Sequence, residues 1–161
     1  MMYLASALNT RDKTLIPNIV SFFTRSGIYH SEIVFSDNQT FTVTPDHIGY
    51  IKRDYTWYEW TLTPLPMISG EEEYKVREMA NAILKTNPQY DFLGALFGYF
   101  VHKFEDKNKW YCSEACKYLL EKYIPTLKEY DWIGPDDLLK EVSKEIQKNY
   151  PHVHHGYSCY Y

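Results

Sequence analysis

The run Lys109-Trp110-Tyr111-Cys112-Ser113-Glu114-Ala115-Cys116-Lys117-Tyr118-Leu119-Leu120 places a thiol at the start of an amphipathic helix. Ala115, Cys116, Leu119 and Leu120 recur at the spacing of one helical face, and Cys112 falls in the first turn. Free amides and the positive end of the helix dipole favour thiolate over thiol there. The plain alternative is that Cys112 is a small buried hydrophobe. Cys116 lies one turn later on the same face and reads as core. Glu114 is an acid that suits a first turn, and is otherwise a solvated helix residue.

A thiolate nucleophile needs an imidazole to take up its proton and later return it. Upstream, His30-Ser31-Glu32-Ile33-Val34-Phe35 reads as a strand, Ser36-Asp37-Asn38-Gln39 as a polar turn, and Thr40 to Thr44 as a second strand. The pair forms a β-hairpin. His30 is the best-placed base. His47, after the second strand, and His102, at the end of a later helix, are weaker choices. A strand histidine can also be half exposed and satisfied by water alone.

The other ring nitrogen of a catalytic imidazole is usually held by a third polar group. Thr42 and Thr44 share one face of the neighbouring strand, and either could accept that hydrogen bond, though neither carries a charge. Glu32 shares a strand face with His30 and stands in reserve. Each threonine is equally an ordinary strand residue.

Around this hairpin the elements fall in order. Residues Ile16 to Phe23, after Pro17, read as a helix that Gly27 ends. Gly49 to Arg53 and Tyr55 to Thr63 read as two more strands, the second stopped by Pro64-Leu65-Pro66. Ser69-Gly70-Glu71-Glu72 has the spacing of a capping box, and Val76, Met79, Ala80, Ile83 and Leu84 give the next helix a buried face. Asn87-Pro88 ends it. Asp91 is placed to cap a helix from Phe92 to about Val101, apolar nearly all round and therefore expected at the centre of the molecule. Pro135 suits a first turn, with Leu138, Leu139 and Val142 as the inner face of a last helix. Strands first and helices after predict an α+β domain: a small antiparallel sheet packed against helices, over residues 1–150, with a flexible tail at 151–161.

With 161 residues and 28 aromatic side chains the chain can bury a substantial core. A formal charge of −4 gives no basic footprint, so nucleic acid is not an expected partner. Three cysteines cannot all pair within the chain, and Cys112 and Cys116 are one turn apart, so all three read as reduced thiols of a cytoplasmic protein. No signal peptide is visible in residues 1–13, and the apolar run at 91–101 is too short for a transmembrane segment. His152, His154, His155 and Cys159 could ligate zinc, but their spacing matches no standard site, and a loose terminal segment is the simpler reading.

The order of these features resembles a known group. A histidine on an early strand is followed by a polar residue on the next strand. Tyr90-Asp91 then opens one helix and Tyr111-Cys112-Ser113-Glu114 another. This is similar to the circularly permuted branch of the NlpC/P60 papain-like superfamily, which includes YiiX-like proteins and is related to lecithin:retinol acyltransferase. The lead-in Phe23-Thr24-Arg25-Ser26-Gly27-Ile28-Tyr29 and the later Gly134-Pro135-Asp136-Asp137-Leu138 fit the same group, so the resemblance covers about residues 15–140. It implies a permuted papain-like fold, Cys112 as nucleophile and His30 as base. The third site departs from the group, which often has histidine or glutamate where this chain offers Thr42 or Thr44.

The resulting expectation is a cysteine hydrolase or acyltransferase acting on an amide or ester. No cofactor is needed, and the Cys112 amide is a candidate oxyanion donor. A peptide, a peptidoglycan fragment or an acyl-lipid would each serve as substrate, and the size would suit a bacterial or phage-encoded protein. The competing expectation is a papain-like binding protein with weak or no catalysis, holding a lipid or protein partner.

Overall fold

The computed structural model describes residues 1–8, 27–56, 59–97 and 108–153. Its centre is a five-stranded sheet in the order β4-β3-β2-β1-β5, with every neighbouring pair antiparallel. The strands are β1 (Tyr3–Leu8), β2 (Ile28–Val34), β3 (Gln39–Val43), β4 (Ile48–Lys52) and β5 (Trp60–Pro64). Four helices follow: α1 (Gly70–Lys85), α2 (Phe92–Phe97), α3 (Cys112–Leu120) and α4 (Pro135–Asn149), with a 3-10 turn at Pro125–Glu129. The chain is therefore α+β, strands first. The helix expected at 16–23 lies outside the described residues.

The hairpin forms as its sequence predicts. Asn38 adopts a left-handed backbone (φ 63°) in the turn, a conformation asparagine tolerates, and Phe35 N–H donates to Gln39 O at 2.8 Å. The longest element without a counterpart in the sequence analysis is β1. The segment Tyr-Leu-Ala-Ser-Ala-Leu of β1 is an interior strand, registered Ala5↔Glu32 and Ala7↔His30 on one side and Ala5↔Leu62 on the other. Both its faces are buried, so it lacks the apolar–polar alternation that marks a half-exposed strand. The expected strand at 55–63 shrinks to Trp60–Pro64, because Tyr55 leaves the ladder and sends its hydroxyl into the site described below. Pro64 is tolerated because β5 is an edge strand.

Alternate strand residues divide between two apolar clusters. Leu4, Ile33, Phe41 and Val43 join the main core with Val76, Ala80 and Ile83 of α1, Ala115, Cys116 and Leu119 of α3, and Leu138, Val142 and Ile146 of α4. Ala5, Ala7, Val34 and Trp60 form a smaller cluster with Tyr55 and Leu62. Ser69 caps α1 by accepting Glu72 N–H at 3.3 Å. Tyr150 and Val153 pack against the main core beyond α4.

α2 departs from expectation. Asp91 does cap it, accepting Gly94 N–H at 2.8 Å, but Phe92 is 52% and Leu93 64% exposed, so its first turn is peripheral rather than central. An all-apolar stretch reports hydrophobicity without naming a neighbour. The neighbour here is a short parallel bridge, β6 (Gln89–Tyr90) against β7 (Lys109–Trp110), which with the bond from Trp132 Nε1 to Gly94 O (2.9 Å) ties the helix start to the segment leading into Cys112.

Candidate active site

The site lies where β2 and β3 part. Their ladder holds only Val34↔Thr40 and Ile33↔Phe41, although β2 begins at Ile28 and β3 runs on to Val43. Phe35 N–H points at β3, so by strand alternation the amides of Ile33 and Ser31 point the same way. At Ser31 no β3 partner remains, and the amide helps to lower the thiol of Cys112. α3 delivers that sulfur from its first position and packs against β2. The Ser113 amide, one of the orphan donors of the helix start, also acts to lower the thiol. Two further bonds fix this end of α3: Ser113 Oγ donates to Ile133 O at 2.8 Å, and Glu114 reaches back to accept Tyr111 N–H at 3.4 Å.

His30 joins Cys112 to the sheet. Its Nε2 lies 3.1 Å from Thr42 Oγ1 and 3.2 Å from Glu32 Oε2, and the ring stands close enough to the Cys112 sulfur for the two groups to shift each other's titration. With Nε2 occupied, Nδ1 is the nitrogen left for the thiol. An ionised carboxylate only accepts, so Nε2 carries a proton and Nδ1 is the atom that can exchange one with sulfur. The edge of Trp60 packs on the ring, with centroids 6.1 Å apart. Cys112 is 6% and His30 9% exposed, so the pair is largely withdrawn from water.

Burial by itself would disfavour charge on both groups. At Cys112 the His30 charge and hydrogen bond, with the Ser31 and Ser113 amides, outweigh it and bring the thiol below its ordinary value. At His30 the Cys112 charge and hydrogen bond, then Glu32, outweigh it and raise the imidazole to about 9. The two groups thus favour a thiolate–imidazolium pair. Cys116 behaves oppositely. Burial, then the Cys112 and Glu32 charges, push its thiol well above the ordinary value.

Glu32 is fully buried, and its other oxygen is held by Arg53 Nε at 2.9 Å and Tyr55 OH at 2.6 Å. Burial would raise this carboxyl, but the His30 hydrogen bond and charge, with Tyr55 and Arg53, hold it below the usual range. Tyr55 donates to Glu32 and so accepts from Thr40 Oγ1, 2.7 Å away.

Comparison with family models, curated proteins and solved structures finds no significant match.

Cys112, His30 and Thr42 come together. Thr44 does not join them. It lies one residue past β3, where its hydroxyl donates to His47 O at 3.0 Å and accepts His47 N–H at 3.1 Å, closing the turn into β4. His47 lies in that turn with its backbone bonded to Thr44, and His102 lies outside the described residues. Glu32 is a first neighbour of the imidazole rather than a reserve. The signal was its two-residue spacing from His30; Arg53 and Tyr55 carried no such signal, because they arrive from beyond β4. Among the described residues no three His, Cys, Asp or Glu side chains converge as a metal site would require, and no helix is long and apolar enough to cross a membrane. His154, His155 and Cys159 lie outside the described residues.

Proposed function

We propose that this protein is a cysteine-dependent hydrolase or acyltransferase acting on an amide or ester, built on the permuted papain-like fold that its resemblance to the circularly permuted NlpC/P60 group implies. The observation that carries the reading is the buried thiol at a helix start, electrostatically coupled to an imidazole whose Nε2 is held by Glu32 and Thr42. Neither a core cysteine nor a solvated strand histidine needs that arrangement. An uncharged orienter of His30 would be the motive for the competing reading, an inactive binding protein. A carboxylate 3.2 Å from Nε2 removes that motive.

In this reading the Cys112 thiolate attacks the substrate carbonyl. The carbon–sulfur bond forms and the carbonyl electron pair moves to oxygen, where the Cys112 amide can donate. As the tetrahedral species collapses, the Nδ1 proton of His30 passes to the departing amine or alcohol, leaving a thioester. Water, or an acceptor hydroxyl or amine, then gives a proton to Nδ1 as it attacks the thioester, and the thiolate is released. Nε2–H stays with Glu32 and Thr42 throughout. A peptide, a peptidoglycan fragment or an acyl-lipid each supplies the required carbonyl.

An activated aryl ester, followed by intact and peptide mass analysis, tests the proposal. The expected result is a hydroxylamine-labile acyl group on Cys112 that Cys112→Ala and His30→Ala do not accumulate. Acylation elsewhere, or none in the folded protein, would overturn it.

A further inference from the structure

We propose that Glu32 is the charge-bearing positioning residue of this site, clamped as a carboxylate by Arg53 and Tyr55, with Thr42 as a neutral auxiliary. The proposal rests on the Cys112–His30 reading above and assigns a role to a residue that chemistry does not touch directly.

Four observations carry it. Two acceptors share one N–H, and an ionised carboxylate is the stronger partner of an imidazolium than a hydroxyl is. Glu32 is 0% exposed, and a carboxylate so placed persists only where it is paired and hydrogen-bonded. Its second oxygen takes two donors, Arg53 Nε and Tyr55 OH. A neutral carboxylic acid would accept them less well, so both resist transfer of the imidazolium proton to Glu32. Lastly, β2 alternation puts His30 and Glu32 on one face, so rigid strand rather than a mobile loop sets their separation.

The charges form an alternating row: Cys112 thiolate, His30 imidazolium, Glu32 carboxylate, Arg53 guanidinium. Arg53 also lies over the Trp60 ring, 5.0 Å from its centroid, and the Trp60 edge meets His30, so the clamp and the imidazole share one packing partner. The groups facing Glu32 are therefore His30 on its own strand, Thr42 of β3, and Arg53 and Tyr55 after β4. Behind them lie Cys112 and Cys116 of α3. Cys116 remains a neutral thiol and adds no charge. Removing the negative charge of Glu32 withdraws support from the imidazolium, and proton transfer from Cys112 to His30 then becomes less favourable.

The test is the pH dependence of Cys112 alkylation by iodoacetamide, read by peptide mass in the folded protein, which requires no substrate. Wild type should show a midpoint below that of an ordinary thiol. Glu32→Gln should move it up by about half a pH unit or more through the weakened imidazolium, whereas relief of like charge at the sulfur alone would move it down, and a downward move overturns the role of Glu32. Tyr55→Phe should move it the same way by less. A merely structural role would change melting temperature or slow alkylation uniformly, without moving the midpoint. If Glu32→Gln does not fold, Tyr55→Phe decides, and an unmoved midpoint there overturns the proposal. A low wild-type midpoint that Glu32→Gln leaves in place overturns the role of Glu32 alone. An ordinary midpoint in wild type overturns the Cys112–His30 reading, and this proposal with it.

Discussion

Replacing Cys112 with alanine should lower the pH at which His30 gives up its proton. In the folded protein that imidazole is raised to about 9 from an ordinary 6.5. The favourable free energy belongs to the thiolate–imidazolium pair rather than to the imidazole alone, because the same contact lowers the Cys112 thiol. Burial opposes the imidazolium; the Cys112 charge and hydrogen bond are the leading causes in its favour, and Glu32 follows. Taken alone, the raised imidazole contributes stability that is complete below pH 6.5 and lost as the pH rises through about 9, but the lowered Cys112 thiol works in the opposite direction. Between the ordinary imidazole and thiol values the folded pair holds one proton and so does the unfolded pair, so the pair adds little pH dependence there. Without the sulfur, only Glu32 opposes burial, and the His30 midpoint should fall by about one pH unit or more. Where His30 of the alanine variant still titrates above 6.5, that variant, with no thiol to offset its imidazole, should lose more stability than wild type as the pH rises through its midpoint. Ring-proton NMR would follow the titration, with His30→Gln identifying the resonance among six histidines, and thermal melts would follow the stability. A wild-type His30 that titrates at or below 6.5, or a Cys112→Ala protein in which it still titrates near 9, would refute the coupling.

Cys112 should alkylate at neutral pH at least about ten times faster than Cys116, whose thiol is held protonated by burial; peptide mapping after brief iodoacetamide treatment reads this. Thr42→Val should slow acyl transfer by roughly ten-fold while Thr44→Val leaves the rate near wild type, because only the first hydroxyl reaches His30. Leu119→Ala should cost about 2–5 kcal/mol in urea unfolding, since Leu119 is fully buried in the main core. Gly94→Ala would drive a methyl group into the Asp91 carboxylate and to 3.2 Å from the Tyr111 ring. It should weaken the α2 cap by about 1 kcal/mol in thermal melts and disturb the approach to Cys112, read as slower alkylation.

Much of the architecture follows from local patterns. The His30–Thr44 hairpin carries β-branched and aromatic residues around a polar turn. The start of α1 carries its Ser69 cap, and the inner faces of α1, α3 and α4 carry their periodicity. These signals lie within a few residues of one another, which is why they can be read without a structure. The same holds for Cys112 at a helix start and for His30 on a strand. β1 could not be read this way. A strand buried on both faces has no alternation, and its short Ala-rich run names no partner. The two-residue β6–β7 bridge was equally silent, and so was the exposure of Phe92 and Leu93, because hydrophobic composition does not say what covers it.

In the site, the sequence by itself determined which thiol and which imidazole were available, and that three polar side chains stood near the imidazole in the chain. Choosing among those three depended on tertiary structure. Thr42 and Thr44 have the same face and the same chemistry. One reaches Nε2, and the other lies beyond the end of β3 in a turn that uses its hydroxyl. Glu32 was visible as a neighbour of His30, but its state was not. A buried carboxylate is held ionised only by donors around it. Those donors, Arg53 and Tyr55, come from past β4, 21 and 23 residues along the chain. Separation along the chain does not fix distance in space. The sheet brings them within 3 Å of one oxygen, and the ending of the β2–β3 ladder frees the Ser31 amide to help lower the Cys112 thiol.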